Sequence, residues 1–482
     1  MPVPFTPLFI DGQERPASSG ASFEVRNPYS NEVVGLAAAA TSEDVRDAIA
    51  AASRAFSTWE QTPLGARAAV VLKAADLLET AEYQKKLAAA LEDELSAANA
   101  LIQVDTRASV SLVREYAASI AELKGETTPS RVPGGYVVIQ RRGMGVILAI
   151  APWNVPLSLA LRSVVIPIIC GNTVVLKSSE VTPRTQALTV ELLRKAGLPD
   201  GVLNFICTAK AEAPARVAEI IAHPAIRKVN FTGGAKAGRA IAAEAARHLK
   251  PCMLELGGKA PVVVLEDADL ESAAKAITIG TLLNSGQICM STERVIVQRS
   301  VAAQLSAAIQ QQFSGLKAGG PGHPLGPLFS EASAERIVGL IRDAKAAGAE
   351  ILLGDATREG AVVQPHIITK VTRDMQLWHD ETFGPVVILV EVDNVEEAIE
   401  KANDSGYSLM ASLWTENVHT AFEVAPRIRS GTININGQTV HSDGRPAGLG
   451  GESGYGRFSV QEFTDSRILI FHPAKPQIPS LK

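Results

Sequence analysis

Apolar positions recur along this chain in two periods. Val45, Ile49, Ala52 and Phe56 follow one another at helical spacing behind Thr41-Ser-Glu-Asp44, which has the spacing of a capping box. Short apolar runs then occupy residues 145–150, 173–177, 202–208 and 228–232, each of a length that becomes a strand buried on both faces. Helix signals stand between them. Thr182 offers an N-cap, Pro183 takes the first helical position, Gly197-Leu-Pro199 stops the helix, and a further helix is expected between the last two runs. Strand, helix, strand at this spacing predicts βαβ units and a parallel sheet. A second alternation starts at 260–265. There Asp269 heads an Ala-rich helix, 293–298 reads as a strand, and Asn394-Val-Glu-Glu397 opens a helix that Gly406 is expected to close. Residues 318–324 are too rich in Gly and Pro for an element, and 135–142 and 467–472 alternate as strands. The pattern predicts two α/β domains, each with its own sheet.

Composition narrows the class without naming a reaction. The chain has 482 residues, which at the usual ~150 per domain suggests about three units. Hydrophobic residues make up 46% and charged residues 20%, so a large core can form without disulfides or metals. Forty-six Lys and Arg against 51 Asp and Glu leave a net charge of −5, with no basic excess for nucleic acid. Cys170, Cys207, Cys252 and Cys289 form no C-x-x-C pair. That argues against structural zinc and an oxidised framework, and for a reducing compartment. The apolar stretch 145–176 is interrupted by Pro152, Asn154, Pro156, Arg162, Pro167 and Asn172, so no membrane span is expected there. Residues 1–6 lack the pattern of a signal peptide, and the cytoplasm is the expected location.

Four clusters can carry chemistry, and each has a plain structural reading beside it. No G-x-G-x-x-G follows any candidate strand. Phe231-Thr-Gly-Gly-Ala-Lys-Ala-Gly238 instead joins a strand to a helix, as a phosphate-binding loop or simply a tight turn. Glu255-Leu-Gly-Gly-Lys259 carries a carboxylate that can equally be a turn residue. Gly286-Gln-Ile-Cys289 places a cysteine after a turn, as a nucleophile or a core thiol. Ala151-Pro-Trp-Asn154-Val-Pro156 ends a buried strand with an amide that needs partners.

Taken in order, with Lys177-Ser-Ser-Glu180 and Glu381-Thr-Phe-Gly-Pro385, these motifs closely resemble the aldehyde dehydrogenase superfamily. The 34 residues from Glu255 to Cys289 match its spacing, and the likeness spans nearly the whole chain. The resemblance implies an α/β fold with a Rossmann-like cofactor domain (1–124 and 145–257), an α/β catalytic domain (258–452) and a small β oligomerisation arm (125–144 and 453–482). It also implies a homodimer or homotetramer. It implies Cys289 as the nucleophile, Asn154 as an oxyanion donor and Glu255 as the base that activates water for thioester hydrolysis. Relatives that acylate coenzyme A lack that carboxylate, so release of the free acid is favoured. Intact Cys289, Glu255 and Asn154 argue against a non-catalytic structural relative.

Cofactor residues implied by the resemblance are Trp153, Lys177, Glu180, Gly233, Gly234, Gly238, Leu256, Glu381 and Phe383. Glu180 favours NAD, while Lys177 leaves NADP open. Gly233 and Gly238 are expected to bracket the pyrophosphate. A substrate channel is expected from Val155, Arg162, Ile288, Met290 and His441. The run 152–162 looks most like the salicylaldehyde and vanillin dehydrogenase branch, which implies an aromatic aldehyde. A broader aliphatic or semialdehyde substrate is the alternative. In that reading Arg162 contacts a ring substituent, or else serves in an ion pair. Ser163 stands where many members have a Lys linked to a proton relay, and Gly234 where many have Ser. The segment Pro446–Gly454 lacks the usual Phe and Lys.

Overall fold

Thr41 Oγ1 accepts from the Asp44 backbone at 3.3 Å, and Asp44 returns a bond to the Thr41 N–H at 2.9 Å. The expected capping box therefore opens the helix Ser42–Trp59, with Val45, Ile49 and Ala52 buried and Phe56 half-buried. The structure, a computed structural model, describes residues 3–440 and 450–474.

The four apolar runs and the segment Cys252–Glu255 become five parallel strands, in the order Leu203–Ile206, Thr173–Lys177, Val146–Ile150, Ile226–Thr232, Cys252–Glu255. Val146–Ile150 lies at the centre. From it the chain winds outward on one side to Leu203–Ile206, then returns to build the other side. That reversal is a topological switch point, and such sheets bind ligands in the crevice beyond the carboxyl ends of the strands flanking it. Asn154 follows one flanking strand and Gly233 the other.

Antiparallel strands extend this sheet to eight: Leu8–Ile10 and Gln13–Arg15 on one edge, Gly454–Tyr455 on the other. The last pair corrects the expected arm boundary. Residues 453–463 pack on the first domain, with Val460 and Phe463 in its core and Phe463 O accepting from Asn172 Nδ2 at 2.8 Å. The arm proper is a three-stranded antiparallel sheet, Thr464–Phe471 beside Tyr136–Gly143 beside Glu126–Pro129.

A second sheet of seven strands runs Glu350–Leu353, His366–Thr369, Val386–Val392, Thr292–Gln298, Ala260–Val264, Met410–Trp414, Thr432–Ile435. All its pairings are parallel except the first. The chain passes from one sheet to the other between Glu255 and Ala260.

Two helix starts differ from expectation. Thr182 occupies the N-cap of Pro183–Ala196 but makes no capping bond. Buried Glu94 caps that helix instead, accepting from Arg184 N at 2.8 Å and Thr185 N at 2.9 Å. Asp105 does the same for Pro156–Ile169, accepting from Leu157 N at 3.1 Å and Ser158 N at 2.8 Å. Each carboxylate comes from a distant helix, and an anion suits the positive end of a helix dipole. At its other end the helix Val395–Asn403 stops at Asp404, two residues before Gly406.

Candidate active site

Cys289 follows a turn that few residues adopt. Asn284, Ser285 and Gly286 are all left-handed, with φ of 52°, 55° and 75°. Left-handed non-glycine residues cost on the order of 1–2 kcal/mol each, so this turn has to be held from outside. Ser285 Oγ donates to Gly326 O at 2.6 Å. Buried Gln287 donates to Asn284 O at 3.0 Å and Pro327 O at 3.3 Å, and accepts from Phe329 N at 2.8 Å. Asn284 Nδ2 reaches across to Asn154 O at 2.9 Å.

Asn154 is 4% exposed, and its Nδ2 donates to Gln287 O at 2.9 Å. Each strand-end loop thus donates a side-chain amide to the other's backbone. One Nδ2 bond satisfies one of the amide's two protons, and the second is left for an oxyanion near Cys289. Cys289 Sγ lies 3.7 Å from Glu255 Oε1. Burial pushes the Cys289 thiol well above its ordinary range, Glu255 adds to the rise, and Arg162 opposes it.

The other Glu255 oxygen, Oε2, is 2.7 Å from Arg162 Nη2. Arg162 also donates to Thr232 Oγ1 at 3.3 Å and lies over the Phe458 ring, 4.1 Å from its centroid. Burial works against its charge, but Glu255, Tyr116 and Cys289 outweigh that and hold the guanidinium protonated. The ion pair expected as one role for Arg162 is formed. Ser163 turns away and donates to Ala160 O at 2.7 Å.

The helix Pro156–Ile169 is buried nearly all round. Val155, Leu159 and Arg162 are only half-buried, and their i, i+4, i+7 spacing puts them on one stripe. Val155 and Arg162 were expected in the channel; Leu159 was not, and its half-burial on an otherwise sealed helix is the signal. Met290 is half-buried beside Cys289, while Ile288 is 4% exposed. His441 lies outside the described residues.

Residues expected at a dinucleotide line the crevice at the strand ends. Lys177 is buried, and that burial lowers its affinity for a proton; Glu180 Oε2, at 3.7 Å, works the other way. Gly234 caps the helix Ala235–Arg247 with no side-chain bond to its first N–H groups, and a Cβ there would meet open space. Those donors suit a phosphate. Gly233 and Gly238 each sit against a side chain. A Cβ on Gly238 would fall 2.5 Å from Leu256 Cδ2, and one on Gly233 would fall 2.6 Å from the Phe231 ring. Gly238 and Leu256 are a helix-to-sheet packing contact, so the open position is Gly234.

Glu381 accepts from Gly258 N at 2.9 Å and lies where a Cβ on Gly257 would fall, 2.3 Å from its Oε2. Burial, with the Glu293 charge adding to it, pushes the Glu381 carboxyl up to about 8. Its loop is held by a buried pair, Lys259 Nζ to Glu293 Oε2 at 2.5 Å. Glu293 also accepts from Thr382 N and Phe383 N, fixing Phe383 at a left-handed φ of 51°. Trp153 stacks on Phe329 at 4.2 Å and meets Phe383 edge-on at 5.8 Å. Phe329 carried no signal in the sequence, since its neighbours form no motif. Lys259 did belong to one, but its partner is 34 residues away. A dinucleotide fits this donor set: a buried amine, helix N–H groups with no side-chain cap, a buried carboxyl group and an aromatic corner. Among the described residues no group of three or more His, Cys, Asp or Glu is arranged to hold a metal.

A parallel sheet with its switch point, together with a cysteine, a carboxylate and a side-chain amide in one site, fits an oxidoreductase that uses a dinucleotide. Residues 15–468 match the Aldehyde dehydrogenase family, and the chain belongs to it. It is 43% identical over 481 residues to a vanillin dehydrogenase of Pseudomonas sp. (strain HR199 / DSM 7063), covering 98% of this chain and 99% of that protein. It is 36% identical to a benzaldehyde dehydrogenase [NAD(+)] of Pseudomonas putida, with 93% of each chain covered. The crystal structure of a salicylaldehyde dehydrogenase from Pseudomonas putida G7 complexed with salicylaldehyde superposes with a TM-score of 0.96 at 37% identity, covering 99% of this chain and all of that one.

Proposed function

We propose that this enzyme oxidises aromatic aldehydes to their carboxylic acids, with NAD as the preferred acceptor. The observation that carries the chemistry is the Cys289–Glu255–Arg162 line at 3.7 and 2.7 Å. The vanillin, salicylaldehyde and benzaldehyde relatives carry the substrate class.

Ionised Cys289 adds to the aldehyde carbon, turning a planar carbonyl into a tetrahedral alkoxide that can release hydride. Asn154 Nδ2 and the Cys289 N–H donate to that alkoxide. A bound dinucleotide would supply the hydride acceptor. Lys177 and Glu180 would hold the adenine-side ribose, the N–H groups behind Gly234 would take the pyrophosphate, and Glu381 would take the nicotinamide-side ribose. Trp153 and Phe383 wall the ring. Collapse of the alkoxide leaves an acyl thioester on Cys289. Glu255 Oε1 then accepts a proton from water as the water oxygen attacks the acyl carbon, and the C–S bond breaks to free the acid.

Val155, Leu159 and Met290 give the channel an apolar wall suited to an aromatic ring. The test is kcat/KM for vanillin, salicylaldehyde and benzaldehyde against hexanal, with NAD and NADP in turn. A preference for the aromatic substrates with NAD is expected; a clear preference for hexanal contradicts the substrate class.

The arm supports a homo-oligomer. Ile468, Ile470 and Phe471 are more than half exposed on the outer strand of the arm sheet, whose free edge can pair with a second copy. No helix among the described residues is long and apolar enough to cross a membrane, and a cytoplasmic enzyme fits the four free cysteines.

A further inference from the structure

Glu255 presents its two oxygens to different partners. Oε1 faces Cys289 Sγ, and Oε2 is tied to Arg162 Nη2. A carboxylate on a flexible stem, placed beside a thiol and a bulky acyl group, has rotamers that point away from the acyl carbon. Something has to choose between them. Among the described residues, Arg162 is the sole ion-pair partner of Glu255.

Arg162 is itself fixed on two further sides. Thr232 Oγ1 takes a bond from the same Nη2, and the guanidinium plane rests on Phe458. Both partners come from elements far apart in sequence, the end of the Ile226–Thr232 strand and the segment after Gly454–Tyr455. The side chain is 17% exposed and its partner 6%. In such a site an ion pair is screened little and its geometry is strongly held. Single-point contact also matters. A fork-to-fork pair would occupy both carboxylate oxygens, whereas one nitrogen on Oε2 leaves Oε1 free to take a proton.

We propose that Arg162 is the positioning residue of the deacylation base: it clamps Glu255 by Oε2 so that Oε1 stays aimed at the acyl group on Cys289. The proposal rests on reading Glu255 as that base. Arg162 does not carry the proton, because a guanidinium does not release one at any working pH. In the assisted step water loses a proton to Glu255 Oε1, a C–O bond forms, the C–S bond breaks, and Cys289 leaves as thiolate. The proton then passes from Glu255 to solvent.

The experiment follows the acyl-enzyme directly. Benzaldehyde and NAD are mixed with enzyme, quenched at short times, and the benzoyl adduct on Cys289 is followed by intact mass. In Arg162→Met the adduct is expected to decay at least about tenfold more slowly than in wild type, a part of the 10²–10⁴ that general-base catalysis contributes. Arg162→Lys, which keeps a cation, should recover most of the rate. In a Glu255→Gln background, Arg162→Met should add no further slowing, since the two act as one unit. Decay at the wild-type rate in Arg162→Met, or full additional slowing in the double variant, overturns the proposal. Wild-type decay in Glu255→Gln alone would instead overturn the reading of Glu255. If Arg162→Met does not fold, Phe458→Leu removes only the ring under the guanidinium and carries the same comparison, with the same outcomes deciding.

Discussion

Asn154 and Asn284 hold each other across the cleft. Asn284 Nδ2 donates to Asn154 O at 2.9 Å, while Asn154 Nδ2 donates to the backbone of Gln287, in the same turn as Asn284. The proposed oxyanion donor and the loop of the proposed nucleophile are therefore built as one piece, although 130 residues separate the two asparagines.

Asn154→Ala is expected to lower kcat by about 10²–10³ with little change in cofactor affinity, the usual effect of removing one oxyanion donor. Asn284→Asp keeps a residue that tolerates the left-handed turn but removes the amide that reaches Asn154 O. It should lower kcat by a smaller factor, about tenfold. Steady-state kinetics with a fluorescence titration of NAD checks both.

The thiol environment gives a pH signature. Cys289 is raised by burial and by Glu255, and lowered by Arg162. A raised thiol is mostly protonated at neutral pH, so alkylation of the free enzyme by iodoacetamide should keep accelerating into the alkaline range. Removing the neighbouring anion in Glu255→Gln should speed alkylation at fixed neutral pH by about threefold or more, and Arg162→Met should slow it. Mass spectrometry of the modified Cys289 peptide reads the rates.

Glu381 gives a second one, on the cofactor side. Its carboxyl is pushed up to about 8, so it is largely neutral below about pH 7 and ionised above about pH 9. An ionised carboxylate is the stronger acceptor for ribose hydroxyls. NAD affinity should therefore rise roughly fivefold across that range, and Glu381→Gln should flatten the profile. The sign for folding is opposite. A folded-state value above the unfolded one favours the fold at acid pH, and that contribution is lost as pH rises through about 8. Thermal melts without cofactor at several pH values check it.

For the arm, Ile468→Arg with Ile470→Glu places charge on the exposed apolar strand. Light scattering should show the mass falling toward that of one protomer, with the circular dichroism spectrum unchanged, because neither side chain enters a core.

What was legible in the sequence was local. The capping box at Thr41, the four apolar runs and the Glu255, Cys289 and Asn154 motifs all declare themselves within a few residues. What was hidden depends on pairs far apart in the chain. Glu94 and Asp105 cap helices by accepting from backbone N–H groups 90 and 52 residues later, so Thr182 looked like a capping side chain that it is not. Arg162, on the helix Pro156–Ile169, finds Glu255 at the end of a strand that comes much later in the chain. Gly454–Tyr455 was read with the arm because a two-residue strand has no period to recognise. Spacing alone also does not say that Gly238 faces the Leu256 side chain while Gly234 faces open space.

The central claim is that Cys289 carries the aldehyde through oxidation. Wild type and Cys289→Ala are mixed with benzaldehyde and NAD, and reduced nicotinamide is followed alongside intact protein mass. Wild type should form reduced cofactor and a transient benzoyl adduct confined to Cys289, and Cys289→Ala should form neither. Reduced cofactor produced at the wild-type rate by Cys289→Ala would contradict the account.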